Sequence, residues 1–463
     1  MPTTVNLGKL AMYRQKFGDL TYMRAFGQGI LLLNTTKAIH DLLDKRARIY
    51  SDKPRPTMAV DIIGLNQSMP LAGYDDRYKL MRKMTNSAFN RRSIEAYQEC
   101  QYDAVRFYLK SLFRQPSEFQ EQARRNIIRL VLRFSYGLGG EMVDAEYVSE
   151  AKAMMHSITT ALLPGAYAVD FIPWLKYLPS WFPFAEFQRI GRKCHDEVLA
   201  FADRPFQYVK AQLTNGSAAG CMVADLLRDI SSVAAKSKVN QEEAEDVLKW
   251  TAGSMLAAAQ ETTYATTMNF LIAMALYPDV QTKAQTEISE VASGTGLITI
   301  EDLDRLPYVQ AVVKEVLRWR VSIPQGLPRQ SMEDDWYNGH FIPSGTVIFP
   351  NLLAISRDVD RPEEFLPERF IGTDSALNPS DYAFGFGRRI CPGKHLVESF
   401  IPLLVANILL YYNIREPSVI PEGSAGPRDV QYTKNTVSQP ESFALDISPR
   451  SGEHVKRLAT MDS

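Results

Sequence analysis

The chain is poor in cysteine and carries almost no net charge. Its 463 residues include four cysteines, Cys100, Cys194, Cys221 and Cys391, which lie far apart and form no Cys-x-x-Cys pair. This spacing argues against a structural zinc site and a disulfide framework, and it favours a reducing compartment. The 52 basic and 53 acidic residues give a formal net charge of −1. We therefore expect no broad basic surface for nucleic acid.

Long apolar runs and flexible linkers are also missing. No run of about 18 apolar residues, the length that favours a membrane-spanning helix, occurs in the sequence. The nearest, residues 400–414, contains Pro402 and Asn407, and we predict a buried helix there. The first twenty residues have no apolar stretch of signal-peptide length. Because 45% of the residues are hydrophobic and no Gly/Ser-rich or Pro-rich linker occurs, we expect a single domain spanning residues 1–463.

Helical periodicity dominates the sequence, and strand patterns are confined to two places. Two runs rich in β-forming residues flank Gly27-Gln28-Gly29, which predicts a hairpin. A second hairpin is predicted at Asn338-Gly339, the residue pair preferred in tight turns. The sequence therefore predicts a mainly α fold with small β-sheets.

One predicted helix, residues 241–277, is long enough to cross a whole domain, at about 55 Å. Asn240 and Glu243 suit a capping box at its start, and Pro278 ends it. Its middle, "MLAAAQETTYATT", places three alanines before Glu261 and Thr262. Small residues leave space on one face, with an acid and hydroxyls beside it. The alternative is a solvated helix face with alanine present for its helix propensity.

A second helix, "PYVQAVVKEVLRWR", carries Glu315 and Arg318 at positions i and i+3. These side chains share one helix face and can form an ion pair. Such pairs usually lie on the surface and contribute little to stability. The spacing alone therefore does not separate a structural pair from an exposed one.

The loop "FGFGRRICPG", residues 384–393, concentrates unusual chemistry around one cysteine. If a helix begins at Pro392, as proline favours, the Cys391 sulfur meets the free N–H groups and positive dipole of its N-terminus, which favour thiolate. The glycines permit tight turns and close approach of a flat ligand, and Arg389 supplies a cation for a carboxylate. Haem is such a ligand, and cysteine thiolate is one of its axial ligands. The alternative is a structural cysteine in a turn.

Four motifs together resemble the cytochrome P-450 family, in the family's order and over nearly the whole chain. "FGFGRRICPG" resembles the haem-binding loop, "KEVLR" the paired acid and arginine of the K helix, "FLPERF" the segment whose arginine joins them, and "AAQETT" the oxygen-activating stretch of the I helix. The segments "PGAYAVDFIPWLKYLPSWFP" and "EDDWYNGHFIPSGT" are most similar to fungal microsomal members of secondary metabolism.

The resemblance implies the family's fold, with haem b between the long I helix and the L helix, and Cys391 as the axial ligand of the iron. It also implies a buried network of Glu315, Arg318 and Arg369 behind the haem. The residues that it places around the cofactor are Arg389, Arg82, Arg329, Phe384, Gly387, Gly393 and Tyr78.

The implied activity is insertion of one oxygen atom from O₂ into a lipophilic small molecule. Thr262 is expected to hydrogen-bond the oxygen, and Glu261 to relay protons from solvent. The "DFIPWLKYLPSWFPF" segment is expected to form part of an access lid. The residues expected to wall the substrate pocket are Met69, Leu71, Ala258, Ala259, Ile323 to Leu327, Val437 and Ser438.

The sequence departs from the family pattern at several positions. Ala259 stands where the family usually has glycine, and its methyl group is expected to crowd the oxygen or change the helix kink. Tyr78 stands where many members have tryptophan, and it retains a hydroxyl donor. The expected N-terminal membrane helix is missing, although the family's fungal members are bound to the endoplasmic reticulum; contact with the membrane surface stays open.

No flavin or NADPH motif is present, so an external NADPH-dependent reductase is expected to supply electrons. A basic docking patch for it is expected at Lys79, Lys83, Arg91, Arg92 and Lys394, with an ordinary solvated surface as the alternative. Two other functions stay open. One is a haem-thiolate isomerase or dehydratase that works without O₂, and the other is a non-catalytic haem sensor.

Overall fold

The structure, a computed structural model, describes residues 7–25, 27–139, 145–163, 165–292, 296–372 and 375–461. Short 3₁₀ and π-helical turns connect many of its elements. The α-helices of this part of the chain are α1 Leu7–Phe17, α2 Thr36–Ile39, α3 Asp76–Ala88, α4 Arg91–Glu95, α5 Gln98–Arg114, α6 Phe119–Tyr136, α7 Ala145–Ala161, α8 Glu186–Thr214, α9 Met222–Arg228, α10 Ile230–Ser237, α11 Gln241–Leu276, α12 Pro278–Val291, α13 Pro307–Trp319, α14 Leu352–Ser356, α15 Lys394–Tyr411 and α16 Gly452–Thr460.

The strands are few and short, so the predicted mainly α fold with small β-sheets is confirmed. One sheet has four strands in the order β1-β2-β6-β3, and two further sheets pair β4 with β5 and β7 with β8. The strands are β1 Leu20–Ala25, β2 Gln28–Leu33, β3 Arg329–Gln330, β4 Asp335–Tyr337, β5 His340–Ile342, β6 Val347–Pro350, β7 Tyr412–Arg415 and β8 Asp446–Pro449.

Both predicted hairpins form. In the second, Asn338 and Gly339 have φ values of 50° and 79°, the left-handed conformations that a tight two-residue turn requires. In the first, Gln28 and Gly29 already belong to β2, so the turn lies one to two residues earlier than predicted. It contains Gly27, with φ 81°, whereas Phe26 lies outside the described residues.

Helix α11 is the central element of the fold. Its first turn is capped by the Asn240 side chain, which accepts a hydrogen bond from the Glu243 N–H at 2.7 Å. Most of its side chains are buried all round the helix, which is typical of a helix inside a large core. Its N-terminal half packs into one hydrophobic cluster with α3 and α8, and its C-terminal half into a second cluster with α13 and α15.

Helix α15 contains most of the apolar run that the sequence predicts to be a buried helix. Its 18 residues have a mean hydropathy of 1.3, and 67% of this stretch is buried. Within the described ranges it alone is long and apolar enough to cross a membrane, but it packs against α5, α12 and α13 as a core helix. Pro402 lies inside it and is buried. The run continues past Tyr411 into strand β7.

Candidate functional site

The Cys391 loop is fixed by its own backbone before helix α15 begins. The Cys391 N–H donates to the Phe384 carbonyl at 2.7 Å and closes the loop. The helix begins at Lys394, so the predicted start at Pro392 is wrong by two residues, because Pro392 and Gly393 form a turn that brings backbone N–H groups to the sulfur. Burial raises the pKa of the Cys391 thiol, whereas the N–H of Gly393 and the charge of Arg82 lower it. Bound metal would displace the thiol proton and hold the sulfur as thiolate.

Close packing explains one glycine of this loop directly. Gly387 has φ 50°, and a Cβ there would collide with the carbonyl oxygen of Leu43. The loop therefore lies directly on the chain segment that follows α2. A Cβ at Gly393 would meet only the Cys391 sulfur, at 3.9 Å, so the surrounding protein leaves space at that position. Phe384 lies beneath the cation of Lys394, 5.8 Å from its Nζ.

Arg389 is half-buried under the loop and bonds to carbonyl groups instead of carboxylates. Its guanidinium donates to the Ser51 and Ala72 carbonyls, both at 2.8 Å. It also stacks 3.6 Å from the centroid of the Tyr78 ring. Burial lowers the pKa of Arg389 from its usual value, and nearby Tyr78 and Asp52 partly oppose this. The side chain is held in place by the protein while its positive charge stays unneutralised by any direct ion pair in the described chain.

Helix α3 holds the other side of the loop. Arg82 donates to the Ile390 carbonyl at 2.7 Å, directly before the cysteine. The Tyr78 hydroxyl donates to the Arg388 carbonyl at 2.8 Å, so the tyrosine at this unusual position retains a hydrogen bond to the loop. The Asp75 side chain caps α3 by accepting from the Tyr78 N–H.

Arg329 and Lys53 are two further cations of this region, and both are buried. No local pattern predicts Lys53. Arg329 is 3% exposed and donates to the Phe386 carbonyl at 2.6 Å, while its Nη1 has no hydrogen-bond partner among the described residues. Lys53 is 5% exposed and donates to the Pro328 carbonyl at 2.8 Å. Burial first, then neighbouring cations, lower the pKa of Arg329 to about 10 and that of Lys53 well below its usual value.

The charges of these cations show whether the site suits haem b, which carries two carboxylates. Buried charges normally find counter-ions, yet Lys53, Arg329 and Arg389 repel one another and bond to carbonyl groups. The orphaned Nη1 of Arg329 marks the point where an acceptor is missing. A ligand with two carboxylates beside a cysteine sulfur supplies what this cluster needs, so the residues present fit haem b.

Behind the loop, the buried carboxylate of Glu315 joins buried Arg318 to Arg369, which keeps some exposure. Its carboxylate accepts from Arg318 at 2.6 and 2.8 Å, in a bidentate pair. It also accepts from Arg369 at 3.2 Å and from the Leu366 N–H at 2.8 Å. Glu315 is 0% and Arg318 2% exposed. The i, i+3 pair is therefore a buried ion pair and not a surface one.

Near its middle, helix α11 borders an opening in the protein. Most of the helix is buried, but Ala257, Ala258, Ala259 and Thr262 keep accessible surface, so this stretch borders space that protein does not fill. The Thr262 hydroxyl lies here and donates to the Ala258 carbonyl at 3.3 Å. The helix runs without interruption through Ala259.

Glu261 does not share the opening with Thr262. Its side chain is buried on another face of α11, where Arg124 lies at 3.4 Å and the Gln439 side-chain amide donates to its second oxygen. The described chain shows no hydrogen bond between Glu261 and Thr262. Arg124 and Gln439 come from α6 and the C-terminal region, and no pattern in the sequence connects them with Glu261.

The expected pocket-wall residues approach α11 from two directions. Met69 and Leu71 pack with Ala259 in the first hydrophobic cluster, and the Met69 N–H donates to the Ser254 hydroxyl at 3.0 Å. The other expected wall residues lie in two segments, Ile323 to Leu327 and Val437-Ser438. A hydrogen bond from the Ser438 N–H to the Ser322 carbonyl, at 2.8 Å, joins these segments. This bond brings Val437 and Ser438 to the segment from Ile323 to Leu327.

Comparisons with known proteins agree over almost the whole chain. The sequence matches the family model described as Cytochrome P450 over residues 3–435. It is 33% identical to cytochrome P450 monooxygenase claR of Ampulloclitocybe clavipes, over 98% of this chain and 84% of that protein. It is 35% identical to cytochrome P450 monooxygenase ARMGADRAFT_974139 of Armillaria gallica, over 94% of this chain and 85% of that protein. A solved zebra fish cytochrome P450 with abiraterone superposes with a TM-score of 0.76, at 21% identity, over 96% of this chain and 100% of that chain, and this likeness concerns the fold alone.

Proposed function

Because this chain belongs to the cytochrome P450 family and is a haem-thiolate monooxygenase, we propose that it oxidises a lipophilic small molecule of fungal secondary metabolism. The observation that carries this proposal is the Cys391 loop with its unneutralised cations, together with the opening of α11 beside Thr262. The apolar residues Met69, Leu71, Ile323 and those near them would wall the pocket.

Cys391 would hold the iron of haem b, and Arg82, Arg329, Arg389 and Lys53 would hold its carboxylates. When bound, haem with a thiolate ligand supplies the chemistry that activates O₂ for insertion of one oxygen atom. The protein orients the substrate, excludes water from the pocket and supplies protons.

The proton path is assigned to two residues of α11. The Thr262 hydroxyl lies at the opening and would donate its proton into the pocket. Glu261 would take a proton from solvent and return one to the Thr262 oxygen, through water. Proton transfer needs donor and acceptor within hydrogen-bond reach, so the Glu261 side chain must leave its resting contacts to complete this path.

Electrons would come from NADPH through a separate reductase that docks near the cysteine loop. Lys79 and Lys83 lie exposed on α3, and Arg92 is exposed on the short helix α4. Lys394 starts α15 and is partly buried through bonds to Ser380 and Glu398. The side chain of Arg91 lies outside the described residues. Cations on one side of the protein would attract an acidic partner and speed its encounter.

An exposed aromatic segment supports membrane contact at the endoplasmic reticulum. Trp174, Tyr177, Trp181 and Phe184 are 63%, 79%, 79% and 96% exposed, which is unusual for residues of this size. Exposed basic residues follow them on α8. Aromatic rings with basic residues beside them favour the membrane interface. The same segment would serve as the access lid. The whole chain would form one catalytic domain.

The test is turnover by purified holoprotein with a fungal NADPH reductase, against a panel of terpenoid and aromatic metabolites under ¹⁸O₂. We expect one product that gains one labelled oxygen atom, and none with Cys391→Ala. Turnover that persists without O₂ and NADPH would instead identify an isomerase or dehydratase. Absence of NADPH consumption with every substrate would identify a non-catalytic haem protein.

A further inference from the structure

Helix α16 closes a surface cavity that the proposed haem chemistry does not use. The cavity has a volume of about 750 Å³, which lies in the range of small-molecule sites. Its walls come from α5, the segment 296–299, the last residue of α15 and the C-terminal end of α16. Helix α16 lies beyond residues 3–435, the part of the chain that matches the family model. Membership of the family therefore assigns no role to this cavity.

The cavity lies at the far end of α15 from the Cys391 loop. This helix begins at Lys394, shortly after the cysteine, and ends at Tyr411, which lines the cavity. Its 18 residues span about 27 Å at the usual rise of an α-helix. A ligand in the cavity would therefore not contact a haem held by Cys391.

The floor of the cavity is apolar except for one hydroxyl. Leu297 and Met461 pack against the second hydrophobic cluster, and the Tyr411 ring lies edge-on to the His454 ring, with the centroids 5.7 Å apart. Tyr411 is 1% exposed, yet its hydroxyl keeps accessible surface and has no hydrogen-bond partner in the described chain. Burial raises the pKa of Tyr411, so the hydroxyl keeps its proton and can donate. Buried polar groups are normally bonded, and this one marks a position for an acceptor atom of a ligand.

Two arginines line the same cavity and have unused donors. Arg106 uses a single guanidinium nitrogen, Nη1, for both Glu99 and Asp103, at 2.8 and 2.9 Å. Arg457 uses only Nη2, for Glu453. A guanidinium has five N–H donors, so each arginine retains N–H groups without an acceptor in the described chain. Glu99 and Glu453 are 66% and 68% exposed, and ion pairs with such exposed acids are weak enough for a ligand to share the cation.

We propose that this cavity binds a small carboxylic acid with an apolar body, such as a fatty acid of medium length. The carboxylate accepts hydrogen bonds from the Tyr411 hydroxyl and the Arg457 guanidinium, and Arg106 lies on the α5 side of the same site. A carboxylate suits this set because it only accepts, and bonds to charged donors are the strong ones. The apolar body lies on Leu297 and Met461, where removal of its surface from water adds affinity.

The test measures binding to the purified holoprotein and needs no turnover. Phenylimidazole is added first, because its nitrogen binds the haem iron and its ring fills the haem pocket, which keeps other ligands out of that pocket. Octanoate binding is then measured by isothermal titration calorimetry, with octanol as the uncharged probe of the same length. We expect one octanoate per chain, and about tenfold weaker binding of octanol because the charged hydrogen bonds are lost.

Three variants assign the binding to this cavity. Tyr411→Phe removes a hydroxyl that bonds to nothing in the described chain, so we expect an unchanged unfolding midpoint and roughly three- to fivefold weaker octanoate binding. Arg457→Met should weaken octanoate binding about tenfold. Arg428→Met is the matched control, because Arg428 also pairs with a glutamate, Glu416, but does not line the cavity. This control should bind octanoate as the wild type does.

Three results would overturn the proposal. The first is the absence of octanoate binding to the wild-type holoprotein with phenylimidazole bound. The second is equal octanoate affinity in Tyr411→Phe, Arg457→Met and Arg428→Met, because octanoate would then bind elsewhere. The third is equal affinity for octanol and octanoate, which would exclude recognition of a carboxylate. None of these results bears on the proposed monooxygenase function, which is tested separately by turnover.

Discussion

The buried carboxylate of Glu315 permits a sharp prediction about stability. Glu315→Ala removes a side chain that accepts four hydrogen bonds, three of them from Arg318 and Arg369. Arg318 is 2% exposed, and it would be left as a buried charge without its ion-pair partner. Breaking such a pair costs about 3–5 kcal/mol, against a total stability of about 5–15 kcal/mol for an ordinary domain. We therefore expect most of the purified variant to lack haem.

The assay is denaturant unfolding followed by circular dichroism, with haem content measured as Soret absorbance per protein. Glu364→Ala is the matched control, because Glu364 pairs with Arg361 at the same i, i+3 spacing, but the two side chains are 51% and 58% exposed. An exposed pair contributes about 0–1 kcal/mol. Glu315→Gln, which keeps one carbonyl acceptor, should fall between the two. Equal loss of stability in Glu315→Ala and Glu364→Ala would refute the reasoning from burial.

Three other changes give distinct outcomes. Thr262→Ala should lower product per NADPH by about tenfold and raise hydrogen peroxide, while Thr262→Ser retains coupling; equal coupling in both variants would contradict a role for the hydroxyl. Cys391→His should keep haem but lose the red-shifted Soret band of the ferrous carbon monoxide form, and a retained band would exclude Cys391 as the ligand. Lys53→Met should speed haem transfer to apomyoglobin. Burial lowers the pKa of Lys53 in the protein without haem, and haem carboxylates would raise that pKa. The slower haem loss of the wild type, relative to Lys53→Met, should therefore be fully present at low pH and disappear as the pH rises through the raised pKa. A difference in haem loss that grows with pH would contradict this role of Lys53.

Local patterns predicted the elements that local chemistry controls. The Asn240 cap and the stop before Pro278 were visible because both depend on a few neighbouring residues. The Asn338-Gly339 turn was visible for the same reason. The start of α15 was misplaced because proline suits either a first helical position or the turn that precedes it.

The resemblance supplied what local patterns lacked at the cysteine loop, but it did not supply every contact. The contacts of Glu261 with Arg124 and Gln439 join residues separated by 137 and 178 positions, and each residue looks like an ordinary surface side chain in its own segment. Lys53 is similar, since only its approach to Pro328, 275 positions away, buries it. Such groupings depend on how whole elements pack, which a periodicity does not specify.

The bonds that hold the cysteine loop have a consequence for biosynthesis. Arg389 reaches back 338 positions to Ser51, and Arg82 bonds to Ile390 across 308 positions. The segments that contain Ser51 and Arg82 therefore emerge from the ribosome long before the cysteine loop to which they bond. Bringing together parts of the chain so far apart in sequence carries an entropic cost. Haem could bind at this loop only after most of the polypeptide has been made. A shortage of haem would therefore act late in the maturation of the protein.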